Sequence, residues 1–562
     1  MKTVLNIGRS YNFLLFLFLS LTIVLPSTLP ILVPNKIWAD IQPSLLFPIM
    51  DDANHYFTRV STILSGNLMI NNPYFYDTLK GGGYTFVGEY WVAFLSLTFG
   101  SIKFGYFLQV TFFTSIAFYA IQKILKFFII RANLWAFIFI GITFVIHPIW
   151  YLRPVAPSTA IALYLLVLLS SLKLLNDPTR LNYWPLGSVC IILLWFTQPV
   201  VAVIASLCWI YTIFICIRSS TNLKMNRKFL ILLSLFFAPI TWYVMMNYPY
   251  HLIKQETAIR TGLIDSRMPG GLKEVIFSFI VILILSFIYW KTKNKNVNII
   301  HLFLNLFFAN LGGNHQILSG KHAFNSAYSR PIIYLVSTLL VVVFLAYAIE
   351  NIKNSQITAL ILIFITFFGT ILNSYKDLTY LKESRPISLE VDHLYLLDLS
   401  KFNLPQENKV ISAPISISSL LPLYTKYKVL YAKEGSIMYP VSNNEILERA
   451  LLNSFILNVP KFSKEDVEWL FDGYFNNIRA RYAWDNKYHR AFVQNKLDEL
   501  YYNAALIQKK ISENPIYYIK KYRVSGVIYP FGTSLRDLSN LCTGLTIGSV
   551  YNFCKFNEDA DS

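Results

Sequence analysis

Charged side chains are scarce in this sequence, and acidic ones are scarcest in its first two thirds. Asp, Glu, Lys and Arg make up 14% of the 562 residues, whereas soluble domains carry about 25%. Residues 1–375 hold 10 acids against 26 Lys and Arg, and residues 376–562 hold 21 against 23. The first part is therefore too poor in charge for an ordinary soluble fold. The shift in composition near Tyr375 predicts a domain boundary.

Motifs for nucleotide and zinc chemistry are also absent. The sequence has no glycine-rich phosphate loop, no GxGxxG after a strand, no HExxH and no CxxC pair. Nothing therefore favours nucleotide-driven transport or zinc catalysis. Cysteine is rare, with five in the chain. Cys542 and Cys554 bracket a strand-turn-strand-like stretch; in an oxidising compartment they either form a disulfide or are simply buried.

Long apolar runs fill the first part of the chain. A helix needs about 20 residues to cross a bilayer. The run 84–99 is interrupted by Glu89, and the run 187–217 is either one span or two spans broken at Gln198-Pro199. The first run is too long for a signal peptide, so we expect it to be retained as a span. The candidate spans are 11–33, 104–128, 134–150, 157–173, 184–198, 199–217, 229–247, 273–290, 299–312, 331–349 and 356–374.

Basic residues decide between these alternatives, because Lys and Arg concentrate in cytoplasmic loops. Two spans in 187–217 and a surface helix at 84–99 give eleven crossings with every basic cluster inside. A crossing at 84–99 with a single span in 187–217 leaves the cluster at 123–131 outside and ranks second. Both versions put 35–83 and the C-terminal part on the outer face. The net charge of +18 thus reflects orientation, and we expect no nucleic-acid partner.

The predicted fold is a multi-pass α-helical protein of the inner (plasma) membrane, with the lipid bilayer as its surroundings and its N-terminus in the cytoplasm. Residues 1–375 form the membrane domain, whose first outer loop, 35–103, includes the surface helix 84–99. Residues 376–562 form an extracytoplasmic α/β domain, because strand-like and helical runs alternate there. The strand-like runs are 409–413, 428–432, 524–529 and 549–553, and the helical runs are 416–427, 445–457, 464–475 and 487–513.

An acid pair stands near the start of the first outer loop. Asp51 and Asp52 precede a helix-like run in which Asp52, His55, Tyr56 and Arg59 share one face. Either acid suits a helix N-terminus, where it accepts backbone N–H bonds and meets the positive end of the helix dipole. Acids at a low-dielectric boundary can also act as bases or bind a divalent cation. Both interpretations stay open on these residues alone.

The segment 49–67 resembles a motif of the GT-C superfamily of membrane glycosyltransferases, which includes protein mannosyltransferases and aminoarabinose transferases. The acid pair is followed by D-x-x-x-Y/H-x-x-R-A/V-x-x-I-x-x-G-N. The resemblance implies transfer of a sugar from a polyprenyl-phosphate carrier to a glycan, lipid or protein acceptor at the outer face. It puts Asp51, with Asp52 as helper, in the place of the catalytic acid, which acts as acid-base or holds a divalent cation such as Mg²⁺ or Mn²⁺. His55 and Arg59 become substrate-binding candidates, although ion pairing with the acids is the simpler role of Arg59.

Three further outer loops carry candidate residues. Arg153 lies where many relatives place another acid; it can bind phosphate through its planar fork, or extend to the membrane surface as an interfacial arginine. Glu256 and Asp265 lie in the loop 248–272, which either supplies additional carboxylates above the site or is an ordinary solvated loop.

The loop 312–330 combines glycines with Lys321, His322 and Arg330. Positive charge there can stabilise a departing polyprenyl phosphate.

Two other functions compete with transfer. A transporter or flippase of lipid-linked saccharides would place charges in mid-span and show inverted repeats, whereas the acids here cluster in loops and no repeat is evident. A non-catalytic membrane assembly subunit would leave the acid pair as a helix cap.

Overall fold

We describe the fold from a computed structural model. It describes residues 53–66, 72–75, 87–129, 132–146, 156–178, 183–219, 256–257, 260, 267, 272–291, 297–319, 329–350, 410–419, 421–425, 427–437, 441–459, 462–471, 486–533, 535, 542–548 and 550–556. The predicted spans 11–33, 229–247 and 356–374 and the predicted boundary at 375 lie outside these residues.

Apolar helices dominate the part of the chain before residue 351. In chain order the helices there are α1 (Ala53–Leu64), α2 (Val87–Phe99), α3 (Ile102–Leu125), α4 (Ala132–Ile146), α5 (Ala156–Asn176), α6 (Tyr183–Trp195), α7 (Pro199–Ser219), α8 (Leu272–Lys291), α9 (Val297–Gly313), α10 (Gln316–Ser319) and α11 (Arg330–Glu350). Within the described ranges, four segments are long and apolar enough to cross a membrane: Phe104–Leu125, Ser158–Asn176, Pro199–Arg218 and Arg330–Tyr347. The chain is thus a helical membrane protein.

Helix α2 covers the run for which the sequence predicts a surface helix. Its 13 residues span about 20 Å, short of the roughly 30 Å of a bilayer core. One face is buried, with Glu89 at 1% exposure, whereas Phe94 and Leu97 on the opposite side are 59% and 73% exposed. Helix α6 has the same length and is predicted to span, so the surface position of α2 stays a prediction.

The ambiguous run 187–217 contains two helices. The N–H groups of Thr197 and Gln198 both donate to the carbonyl of Leu194, which closes α6 with a turn. Pro199 has no N–H to continue that helix but suits the first position of the next one, and α7 begins there. The two helices pack closely at Gly187. A Cβ on this residue would lie 2.2 Å from the ring of Trp209.

The C-terminal part is built on a mixed five-stranded sheet of order β2-β1-β3-β5-β4. Strand β1 pairs in parallel with β2 and β3, whereas β5 is antiparallel to β3 and β4. The elements are β1 (Val410–Ser412), α12 (Ile415–Ser418), α13 (Leu421–Tyr424), β2 (Lys428–Val429), α14 (Lys433–Ile437), α15 (Asn443–Ile456), α16 (Lys464–Leu470), α17 (Asn486–Glu513), α18 (Pro515–Lys521), β3 (Val524–Pro530), β4 (Cys542–Ile547) and β5 (Tyr551–Phe556). Four of these strands overlap the predicted strand-like runs.

The chain divides into two compact units. The helical unit comprises residues 1–32, 84–245 and 265–384, and the α/β unit comprises residues 33–83, 246–264 and 385–562. The α/β unit therefore contains two segments that come before the C-terminal part in sequence. Helix α1, the turn at residues 72–75 and the short segment 256–260 all belong to it.

The edge hairpin of the sheet is closed by a disulfide between Cys542 and Cys554, whose Cα atoms are 5.6 Å apart. Cys542 begins β4, and Cys554 lies in β5 beside Leu545. The disulfide is the first of the two arrangements that the sequence allows for this pair. Proteins keep such disulfides in oxidising compartments.

Replacing both cysteines with serine should lower the free energy of unfolding of the α/β unit by about 3 kcal/mol, the loop-closure value for a short loop. Pulse proteolysis of the full chain in detergent at increasing urea concentration would measure the change. Treating the native chain with reductant should reproduce the effect and leave the double variant unchanged. Equal urea midpoints for the native chain and the variant would contradict this prediction.

Candidate functional site

Helix α1 begins directly after the acid pair. Ala53, its first residue, follows Asp52, which is the position where the sequence predicts a helix N-terminus. Phe57 and Val60 are fully buried, Arg59 is 3% exposed, and α1 packs against α13 within the α/β unit. The helix that follows the acid pair is thus built into the α/β unit.

Most of the other predicted site residues lie outside the described part of the chain. His55 lies in the first turn of α1, but its side chain is not described. For these residues the proposed roles remain predictions. The residues wholly outside are Asp51, Asp52, Arg153, Asp265, Lys321 and His322.

The turn at residues 72–75 is bonded to the α/β sheet. The side-chain oxygen of Asn72 accepts from the N–H groups of Tyr74 (3.0 Å) and Phe75 (3.3 Å), and its amide nitrogen donates to the carbonyl of Gly435 at 3.1 Å. The N–H of Val429 in β2 donates to the carbonyl of Tyr74 at 2.8 Å. Gly435 is needed at this close approach, because a Cβ there would lie 2.8 Å from the Cβ of Tyr74.

Lys428 also bonds this turn. Its Nζ donates to the carbonyls of Asn72 (3.2 Å) and Pro73 (2.8 Å). Burial lowers the pKa of Lys428 from 10.5 to about 8, because the charged ammonium loses water that two neutral carbonyls replace only in part.

The lowered pKa of Lys428 predicts a pH dependence of stability. The unfolded chain keeps this proton up to about pH 10.5 and the folded chain only up to about pH 8, so stability rises with pH across that window. As the pH rises from 7.5 to 10, we expect the urea midpoint of the native chain to increase relative to that of Lys428→Met. The variant shares every other titrating group and serves as the control. A constant difference between the two midpoints would contradict the prediction.

The segment 256–260 also belongs to the α/β unit, and Glu256 and Arg260 bond it to the start of α15. Glu256 Oε2 accepts from the N–H of Asn443, the first residue of α15, at 2.6 Å. Arg260 is 1% exposed and donates to Asn443 Oδ1 (2.6 Å), Thr257 Oγ1 (2.9 Å) and the carbonyl of Val441 (2.6 Å). Glu256 therefore stabilises a helix N-terminus. Arg260 is thus buried, whereas the side chain of Glu256 is 42% exposed.

A cavity of about 370 Å³ opens beside this helix end. Its lining comes from the first two turns of α15 and from the residues that join α18 to β3. The lining residues are Ser442, Asn444, Glu445, Glu448, Arg449, Lys521, Tyr522 and Arg523.

Arg449 forms the inner wall of this cavity and is 3% exposed. Its guanidinium stacks between two rings, 4.6 Å from the centre of Phe75 and 4.4 Å from that of Tyr522. Its Nε and Nη2 both lie 2.9 Å from Glu445 Oε1. Phe75 belongs to the turn at residues 72–75, so this arginine joins that turn to α15 and the end of α18.

Glu448 is the second acid of the cavity. It pairs with Lys521 and accepts from the Tyr522 hydroxyl at 2.5 Å. Burial, together with this bond to a carboxylate, raises the pKa of Tyr522, so the phenol stays protonated and remains a donor. The cavity walls are thus fixed by ion pairs and hydrogen bonds of their own.

Arg330 is the only described member of the predicted basic loop cluster. It begins α11 in the helical unit and is partly buried. No group of three or more His, Cys, Asp or Glu side chains that could hold a metal occurs within the described residues. A cation at Asp51 therefore stays a prediction.

Sequence reasoning missed the cavity and the roles of Arg449 and Arg260. Their partners lie far away in sequence: Arg449 contacts Phe75, and Arg260 contacts Val441 and Asn443. The Asn-Asn-Pro sequence at 71–73 was an available turn signal, but it does not indicate which strand the turn joins.

Comparisons with known proteins find similarity among solved structures only. No family model matches the chain, and no curated protein matches it. Among solved structures, the chain is similar to the crystal structure of ArnT from Cupriavidus metallidurans bound to undecaprenyl phosphate, at 11% identity and a TM-score of 0.46. The match covers 97% of this chain and 98% of that chain.

Proposed function

We propose that this protein is a GT-C-type glycosyltransferase, which moves a sugar from a polyprenyl-phosphate carrier to an acceptor at the outer face of the membrane. The proposal starts from the sequence motif at 49–67 and its acid pair. The donor, a polyprenyl-phosphate sugar, is the class that this resemblance implies.

The observation that carries the proposal is the composition of the α/β unit. It combines residues 33–83, 246–264 and 385–562, which are the outer segments of the predicted topology. Segments of one compact unit lie on the same side of a membrane. Together with the disulfide, this supports an extracytoplasmic α/β unit and an acid pair on the same face.

The same composition constrains the crossings. We expect residues 84–245 and 265–384 each to cross the membrane an even number of times, because both ends of each segment join the α/β unit. The predicted topology with two spans in 187–217 and a surface helix at 84–99 gives six and four crossings. A crossing at 84–99 with one span in 187–217 also gives six and four crossings, so these numbers alone do not choose between the two versions. The separate helices α6 and α7 favour the version with two spans in 187–217.

The proposed chemistry belongs to the acid pair. Asp51 would take the proton of the acceptor nucleophile as it attacks the sugar carbon, or orient that nucleophile, with Asp52 as helper. A divalent cation held by Asp51 would supply charge stabilisation beside the phosphate. His55, Arg153, Lys321, His322 and Arg330 are the proposed substrate-binding groups, and the cations among them would stabilise the departing phosphate.

Asp51→Asn and Asp52→Asn test this function. Purified full chain in detergent would be incubated with polyprenyl-phosphate sugars and membrane glycolipid or glycan acceptors, and transfer followed by mass spectrometry. The variant that lacks the base should lose at least about a hundredfold in rate. Glu513→Gln, an exposed acid of α17, is the matched control and should keep full activity. Full transfer by both Asp variants would remove the proposed chemistry.

The assay also separates transfer from the competing functions. A flippase would move labelled lipid-linked sugar across proteoliposomes and form no new glycosidic bond. An assembly subunit would do neither.

A further inference from the structure

The packing of the α/β unit leaves a cavity beside α15. Its volume, about 370 Å³, lies at the lower end of the roughly 300–1,000 Å³ of small-molecule sites. A mono- or disaccharide unit is of that size. All of its lining comes from the α/β unit.

The charges of the lining argue against a charged ligand. Glu445 and Glu448 face the cavity with side chains that are 32% and 19% exposed, and they would repel a phosphate or nucleotide. Arg449, Lys521 and Arg523 would repel a cation. Three positive and two negative groups leave a net charge of only +1, so the lining favours an uncharged polar ligand.

The cavity lining includes hydrogen-bonding groups of both kinds. The carboxylates of Glu445 and Glu448 accept, the ammonium of Lys521 donates, and the amide of Asn444 and the hydroxyl of Ser442 do both. A sugar hydroxyl also donates and accepts at once, so a ring bearing several hydroxyls can bond to groups of both kinds. An apolar ligand would displace water from these groups and make no hydrogen bond in return.

The walls are held in place before any ligand arrives. Arg449 is fixed by Glu445 and by the rings of Phe75 and Tyr522, and Glu448 by Lys521 and Tyr522. Side chains fixed by neighbours lose little freedom on binding. By contrast, Asn444 at the rim is exposed and can adapt.

We propose that this cavity binds an uncharged saccharide unit, and that the unit belongs to the acceptor. The second half of this inference rests on the proposed function; the first half does not. If the α/β unit binds a sugar of the acceptor, it recognises acceptors by a group that takes no part in the transfer reaction.

Saturation-transfer NMR on the full chain in detergent tests the binding. The probes are glucose, galactose, mannose, N-acetylglucosamine and lactose, with inorganic phosphate and UMP as anionic competitors. At least one saccharide should bind at millimolar concentration and resist displacement by the anions. Asn444→Trp fills the rim without removing any of the ion pairs and should weaken binding at least tenfold. Ala505→Trp, an exposed site on α17, makes the same change away from the lining and should bind normally.

Three results would overturn the proposal. They are no saccharide binding, displacement by phosphate or UMP, and unchanged binding by Asn444→Trp. If Asn444→Trp lost binding but kept normal transfer, the assignment to the acceptor would be wrong. The NMR test measures binding without donor or transfer. If a saccharide binds but the chain shows no transfer in the glycosyltransferase assay, the saccharide site is supported and only the proposed function is contradicted.

Discussion

Arg260→Met is expected to lower the free energy of unfolding of the α/β unit by about 3–5 kcal/mol, the range for breaking a buried charged network. Arg260 is 1% exposed. Its guanidinium donates hydrogen bonds to Asn443 Oδ1, Thr257 Oγ1 and the carbonyl of Val441. Methionine fills similar space but donates nothing. The acceptors left behind are buried or partly buried, and each unpaired one costs about 1–3 kcal/mol.

Arg267→Met is the matched control for this variant. Arg267 is exposed and donates to the carbonyls of Ile317 (3.3 Å) and Leu318 (3.0 Å), groups that water can serve in its absence. We expect a loss of less than about 1 kcal/mol. Pulse proteolysis of the full chain in urea, read on fragments of the α/β unit, would compare the two. Equal losses of unfolding free energy would show that the burial of Arg260 does not increase its contribution to stability.

Arg449→Met is expected to cost about 2–4 kcal/mol. Stacking of a desolvated guanidinium on an aromatic ring contributes up to about 2 kcal/mol, and Arg449 has a ring on each side. Its ion pair with Glu445 is lost as well, but Glu445 is 32% exposed and regains water. Arg449→Lys keeps the charge and loses the flat stacking surface, so it should recover only part of the loss.

A double-mutant cycle with Phe75→Leu isolates the contact between the turn at residues 72–75 and α15. The two changes should cost less together than the sum of their separate effects, by about 1–2 kcal/mol. The same cycle with Tyr517→Leu, an exposed ring of α18, should show additive effects. Additivity with Phe75→Leu would mean that the stacking seen in the structure does not stabilise the unit.

The fold was predictable where the signal is local. The break at Pro199 follows from a missing N–H, and the start of α1 at Ala53 follows from two aspartates that suit a helix N-terminus. The strands β1 and β3 follow from short apolar runs. The union of residues 33–83 and 246–264 with the C-terminal part was not predictable, because it depends on pairs such as Tyr74 with Val429 that no spacing encodes.

The candidate site also has features that the sequence predicts and features that it does not. The acid pair stands out because acids are scarce in the first 375 residues. The loop residue Glu256 carries the same charge, yet it bonds the N–H of Asn443, 187 residues away, and no local pattern distinguishes these two uses of a carboxylate. Arg449 looks like an ordinary charged residue of an amphipathic helix, and only its neighbours make it the wall of a cavity.

The order of the sheet has a consequence for biosynthesis. Strand β3 lies between β1 and β5, so the sheet stays incomplete until residues 551–556 have been synthesised. The turn at 72–75 and the segment at 256–260 are synthesised long before their partners at 428–449, so they must wait while the helices between them are made. We expect ribosome-bound chains that stop before residue 421, where α13 begins, to expose the apolar face of α1 and the ring of Phe75, and to be captured by chaperones.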